Sequence, residues 1–173
     1  MANYPRQLSH GANNPVIALS ETEVGKLFTA DTRSDIGSEA EKMRFANGIN
    51  NLVARFIRLA RNDTLQANML VMERIYALDF RSFEVEMREI WFDVFAEQLR
   101  ELHHNGFAHC DLSRPAGVTG ERYDNILLTK EGLRLIDVGI SVLRSQVGDN
   151  FFAAYVRQEL TELADFQAYF LSR

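Results

Sequence analysis

Three oxygen-bearing side chains stand in order along the second half of the chain. Asp111 lies in His109-Cys110-Asp111-Leu112, Asn125 in Asp124-Asn125-Ile126-Leu127-Leu128, and Asp137 in Leu135-Ile136-Asp137-Val138-Gly139. Carboxylates take protons from hydroxyls, and carboxylate and amide oxygens are hard donors for small divalent cations. Singly, each has a plain structural reading: an Asp after a helix caps or turns the chain, and Asp124-Asn125 alone is turn chemistry. Their order between apolar segments is what makes them a set. Other reactive groups carry less. The side chains of His109 and Cys110 are sequence neighbours and do not face each other as a nucleophile pair would, so Cys110 reads as a small buried side chain. His103 and His104 point apart at a helix end and have no cysteine or carboxylate to complete a zinc set, so capping is the simpler role.

The elements that must position this set follow from periodicity. Val16–Ser20 and Val24–Phe28 read as strands joined by Glu21-Thr22-Glu23, and Leu52–Leu59 and Ala67–Met72 as two more. A helix starting at Ser34-Asp35 or at Ser38 runs to about Asn47, before Gly48. The strongest helix spans about Glu84 to His104. Met87, Trp91, Val94, Gln98 and Leu102 form its stripe, widened by Phe95 and Leu99, and Asn105-Gly106 ends it. A hairpin places Ile126–Leu128 against Leu133–Ile136 around Thr129–Gly132. A last amphipathic helix, Asn150 to Leu171, turns Phe152, Val156, Leu160, Leu163, Phe166 and Phe170 inward. Strands first and helices later predict an α+β fold in two parts, 1–75 and 76–173, with a linker near Glu73 to Asp79.

The ordered motifs resemble those of the protein kinase-like superfamily: H-x-D-L then N-I-L-L for the catalytic loop, and D-x-G after an apolar strand for the metal loop. That resemblance implies a compact bilobal fold with ATP and Mg2+ as cofactors. It makes Asp111 the catalytic base, Asn125 and Asp137 the metal ligands, and Gly139 the residue that lets the chain turn after the second ligand. Leu8–Val16 lies over the kinase glycine-rich loop, matching at Gly11 and at the apolar ends Leu8 and Val16, with Ser9 and Asn14 in place of the outer glycines. Lys26, in Val24-Gly25-Lys26, takes the place of the strand lysine that contacts nucleotide phosphates. Its helix partner is expected to be Glu41, which shares a face with Phe45; Glu39 is the competitor. Met69–Ile75 resembles the strand and hinge beside adenine, with Met72 as gate and the backbone of Glu73 to Ile75 bonding the base.

The chain also departs from the family pattern. Thirteen residues separate Asp111 from Asn125 where four are usual, and Pro115–Tyr123 has loop composition, so it must bulge outward for the two to converge. Ser113 stands where a cation usually helps position the phosphate, with Arg114 the nearest substitute. Cys110 replaces the arginine that holds a phosphorylated activation loop, which implies activity without that modification. Only 34 residues follow Gly139, with no A-P-E motif. The chain is therefore expected to have a truncated second lobe and to be similar to the minimal kinases that bacteria deliver through type III secretion.

Those features together lead to an ATP-dependent protein Ser/Thr kinase as the expected function. The alternatives are a small-molecule kinase of aminoglycoside or sugar type, and a nucleotide-binding pseudokinase module. The 173 residues carry a net charge of -5, which argues against nucleic-acid partners, and no apolar run is long enough to span a membrane. The expected partners are a protein substrate and, for an effector, an activating host protein. Without an export signal at the start, the expected place is the cytoplasm, or a host cell reached without a cleaved signal.

Overall fold

The apolar runs of the first half pair into one antiparallel sheet. In the computed structural model, which describes residues 4–10, 14–29, 35–115 and 120–172, its strands are β1 (Arg6–His10), β2 (Pro15–Ala18), β3 (Glu23–Phe28), β4 (Phe56–Asn62) and β5 (Ala67–Glu73), in the order β1-β2-β3-β5-β4. Ser20 makes the β2–β3 turn, its Oγ accepting the N–H groups of Thr22 and Glu23 at 3.1 and 3.0 Å. Alternation along the strands divides the side chains between two faces. Ile17, Leu27, Met69 and Val71 form a small cluster on one face, while Val24, Phe28, Leu70 and Met72 join the main core on the other.

Helix α1 (Ile36–Asn47) crosses between β3 and β4. Asp35 caps it by accepting the Ser38 N–H at 2.5 Å, which selects the first of the two expected starts. The expected strand at Leu52–Leu59 is displaced, and β4 begins only at Phe56. Leu52, Val53 and Ala54 are instead buried against the C-terminal hairpin, where Ala54 N–H donates to Leu135 O and Leu135 N–H to Leu52 O, both at 2.8 Å. An apolar run reads alike whether it enters a sheet or docks on one.

After the linker, a 3-10 turn at Phe80–Ser82 leads into α2 (Val85–Asn105). Gly106, at φ +96°, closes α2 in the left-handed region. The short strand β6 (Phe107–Ala108) pairs with β9 (Val142–Leu143), and β7 (Ile126–Thr129) pairs with β8 (Gly132–Leu135) as the expected hairpin. Helices α3 (Arg144–Val147) and α4 (Asp149–Phe170) complete the described chain.

Helix α2 is turned from the stripe expected of it, and α4 keeps most of its own. On α2 the inward residues are Phe92, Phe95, Ala96, Leu99 and Leu102, together with Arg88 and His103, while Met87 and Val94 are exposed. On α4 Phe152, Leu163, Phe166 and Phe170 face inward, but Leu160 is exposed and Glu159 is buried. Each also buries one charged side chain that makes hydrogen bonds there. Arg88 Nη1 donates to the carbonyls of Phe170 and Ser172 at 2.5 and 3.0 Å, closing the end of α4. The work of Glu159 concerns the candidate site.

Candidate active site

Strand alternation brings Lys26 to the core-facing side of β3, since Gly25 and Leu27 take the other face. A side chain at Gly25 would meet Met69, its Cβ lying 2.3 Å from the sulfur. Lys26 Nζ donates to Glu39 Oε1 and Oε2 at 3.1 and 2.9 Å and to Asp137 Oδ1 at 2.8 Å. The expected pairing with Glu41 is therefore corrected to Glu39. The buried face of α1 runs through Glu39, Ala40, Lys42, Met43 and Ala46. Glu41, two positions past Glu39, is carried to the outer side of the helix, where Gln146 Nε2 reaches it at 3.4 Å. Burial alone would lower the Lys26 pKa, but the charges of Asp137 and Glu39 outweigh it and the net shift is upward. Burial raises the Glu39 carboxyl, against the attraction of Lys26.

Asp137 follows β8 with φ +58°, a left-handed backbone that Asp tolerates better than most side chains. Burial would raise its pKa, but the ammonium of Lys26 and the Gly139 N–H, which donates to Oδ1 at 3.2 Å, bring it below the usual carboxylate value. Gly139 serves by its small size. An added Cβ would stand 3.2 Å from Asp137 Oδ1 and from Glu39 Oε1, while the positive φ of this turn belongs to Asp137. Lys42 Nζ donates to Gly139 O at 3.1 Å and so ties α1 to the same turn.

Asn125 meets Asp111 despite the thirteen intervening residues. Its Nδ2 donates to Asp111 O at 3.0 Å and to Asp111 Oδ2 at 2.8 Å. The insertion is clamped at its base: Arg114 N–H donates to Arg122 O at 2.7 Å, Arg114 pairs with Asp124, and Arg122 pairs with Asp165 of α4 at 3.0 Å. Tyr123 packs edge-on against Phe166, with centroids 5.1 Å apart. Burial raises the Asp111 pKa, and the hydrogen bond from Asn125 opposes that rise. The backbone joins this pair to Asp137, because Ile136 N–H donates to Asn125 O at 3.0 Å and His109 Nε2 lies 2.9 Å from Ile136 O.

The loop before Asp111 hangs on α4. Glu159, 1% exposed, accepts the His109 N–H at 2.9 Å and the Cys110 N–H at 3.3 Å through Oε2. Ser141 Oγ donates to His109 O at 3.0 Å. Cys110 holds φ +65°, and burial pushes its thiol up to about 12, so it stays protonated and unreactive at neutral pH. Glu159, Ser141 and Lys42 escape a reading of the sequence. The available signal was a charged residue at an inward helical position, as Glu159 is between Phe152 and Phe166.

The nucleotide-side candidates are partly described. Gly11 lies outside the described residues. Val16 is half-buried against the main core, and Met72 lies in it at 8% exposure. Two of the hinge N–H groups are already engaged: Glu73 N–H by Arg55 O at 3.0 Å and Arg74 N–H by Thr22 O at 2.8 Å. The Ile75 N–H bonds no described residue. The Glu73 carboxylate accepts the Arg55 N–H at 2.8 Å and pairs with Arg134.

No family model matches this chain, and no curated protein does. Among solved structures, the kinase PK-1 of Cydia pomonella granulovirus superposes with a TM-score of 0.57 at 15% identity, over 80% of this chain and 51% of that one. The fold is protein kinase-like. The chain spans about half the length of that kinase.

Within this kinase-like fold, the oxygens suited to a divalent cation are Asn125 Oδ1 and Asp137 Oδ2. Neither accepts a hydrogen bond from a described residue, while Asn125 Nδ2 and Asp137 Oδ1 are both held. No cluster of three or more His, Cys, Asp or Glu suited to a metal occurs among the described residues. Donors of this kind suit magnesium, which takes one or two protein ligands and completes its shell with water and phosphate.

Proposed function

We propose that the chain is an ATP- and magnesium-dependent phosphotransferase acting on Ser or Thr of a protein acceptor. In this reading, residues 1–75 form a nucleotide lobe and residues 76–173 a truncated second lobe that carries the catalytic and metal loops. The observation that carries it is the pair of polar groups Glu39–Lys26–Asp137 and Asn125–Asp111, drawn from α1, β3, the turn after β8 and the loops before β7, and tied to each other through the backbone by the Ile136 N–H to Asn125 O bond.

Each residue has a task that follows from its surroundings. Lys26, with its raised pKa, stays charged at neutral pH and binds nucleotide phosphates, oriented by Glu39. Magnesium, held by Asn125 and Asp137, would neutralise charge on the triphosphate. Asn125 fixes Oδ2 of Asp111, leaving Oδ1 to orient the acceptor hydroxyl and take its proton. Val16, Met72 and the backbone of Glu73 to Ile75 line the base, with the Ile75 N–H the free donor, and Gly11 belongs to the segment assigned to the phosphates.

The test is transfer of labelled phosphate from ATP with magnesium to a broad protein mixture, comparing the native chain with Asp111→Ala and Asp137→Ala. Transfer lost in both variants with folding retained supports the proposal. Nucleotide binding without transfer would point to an interaction module, and transfer only to a sugar or aminoglycoside to a small-molecule enzyme. Because a kinase of this kind can need an activating protein, the assay is run with and without added host-cell extract. No helix among the described residues is long and apolar enough to cross a membrane. That accords with a cytoplasmic enzyme or with one delivered into a host cell.

A further inference from the structure

One open cavity among the described residues is lined by neither Asp111 nor Asp137. It is a trough of about 570 Å3 between the C-terminal half of α2 and the N-terminal half of α4. Its floor is apolar, formed by Phe152, Val156 and Leu160. These side chains recur at helical spacing, so α4 offers one face over more than two turns. Arg100 of α2 and Arg157 of α4 stand on the two rims, both exposed.

The charges on this trough run against those of the chain. The whole carries -5, yet the lining contains three arginines and two histidines against the single carboxylate of Asp149. Arg144 is committed, since its Nη2 donates to His103 O and His104 O at 3.0 and 3.2 Å and its guanidinium lies 4.9 Å over the Phe152 ring. Arg100 and Arg157 form no ion pair among the described residues. Uncommitted arginines flanking an apolar floor are the residues that anchor protein interfaces, where a desolvated side chain is gripped and charge sets register.

We propose that this trough is a docking site for an acidic peptide segment with an aliphatic or aromatic anchor, carried by a protein partner. The anchor lies on Phe152, Val156 and Leu160, and flanking carboxylates meet Arg100 and Arg157. The wall also contains His103, 7% exposed, whose Nε2 lies 3.4 Å from Glu159 Oε2 without hydrogen-bonding it. An occupant therefore sits one side chain away from the carboxylate that holds the loop before Asp111.

The inference rests on the protein-acceptor reading for its biological sense, but it is tested without nucleotide, so the two can fail separately. The probe is a short fluorescein-labelled peptide with Leu-Phe flanked by glutamates, titrated against the full chain by anisotropy. The expected result is saturable binding that weakens with salt. Arg100→Glu with Arg157→Glu, both exposed and checked for folding by circular dichroism, should weaken it at least about tenfold. A peptide with lysines in place of the glutamates should bind that charge-reversed variant better than the native chain. No binding of the acidic probe, or binding indifferent to the charge reversal, overturns the proposal. So does equal binding by inorganic polyphosphate or by an anchor-free polyglutamate, which would mark a plain anion site. Concentration-dependent self-association that is lost in the same variant, with no peptide binding, would assign the face to a second copy and also overturn it.

Discussion

At the scale of single residues, Lys26 decides the site, because one ammonium is shared between two carboxylates. Lys26→Met leaves Glu39 buried without its cation and in the field of Asp137; removing one partner of a buried pair costs about 3 kcal/mol, and chemical denaturation should show a loss of that order. Glu39→Gln should cost about 1 kcal/mol, since Lys26 keeps Asp137. It should also lower kcat/KM by roughly tenfold or more, whereas Glu41→Gln, on the outer helix face, should leave both within about twofold. Equal effects of the two glutamine variants would refute the Glu39 assignment. Asp111 gives a pH test. As base it works ionised, so the rate falls as pH drops through its pKa, which burial holds above the ordinary Asp value. The Asn125 hydrogen bond favours the charged form, so Asn125→Ala should raise that pKa further and move the acid limb of the kcat/KM profile to higher pH. A limb unmoved or shifted to lower pH would mean that Asp111 is not the titrating base.

At the scale of elements, the sequence was legible where local chemistry decides and opaque where a tertiary partner does. The hairpin β7–β8, the Asp35 cap and the Gly106 stop are local, and they stand where composition puts them. The meeting of Asn125 with Asp111 could be stated only as a condition on the insertion. The segment that brings them together finds its partners on α4, where Tyr123 packs on Phe166 and Arg122 reaches Asp165, some forty residues along the chain. The choice between Glu39 and Glu41 hung on α1 register, which is tied to the rest of the fold by Lys26 on Glu39 and by Gly139 on Lys42, partners outside the helix. The stripe of α4 stands at four of its six expected residues and that of α2 at Phe95, Leu99 and Leu102, while Arg88 and Glu159 occupy core positions that a hydrophobicity count assigns to apolar residues. Glu159 allows a direct test. Glu159→Ala leaves the His109 and Cys110 N–H groups without an acceptor in a dry environment, a loss of about 3 kcal/mol. Glu159→Gln keeps an acceptor oxygen and should recover most of it. Because this carboxylate positions the loop and touches no substrate, kcat should fall in the alanine variant while the KM for ATP changes little. A rise in KM with unchanged kcat would contradict that role.

At the scale of the whole molecule, the sheet and the helical half are joined more tightly than a single linker requires. One core cluster runs without interruption from Val24 and Met43 through Leu99 and Leu135 to Phe166 and Phe170. Polar ties reinforce it: Lys26 to Asp137 and Arg134 to Glu73. Leu135 lies at the centre of this junction. It is fully buried, pairs with Ile126 within the hairpin, and exchanges backbone hydrogen bonds with Leu52 and Ala54 on the sheet side. The proposed site draws its lysine from the sheet and its acidic loops from the helical half, so it needs the two in register. Stability and activity should therefore be lost together. Leu135→Ala removes a fully buried side chain and should cost about 3 kcal/mol. Thermal unfolding followed by far-ultraviolet circular dichroism and by Trp91 fluorescence should stay a single coincident transition, shifted downward in the variant. If the sheet and α2 melted at separate temperatures, in the native chain or in Leu135→Ala, the halves would be independent units. The active centre would then have to be assembled by something other than this shared core.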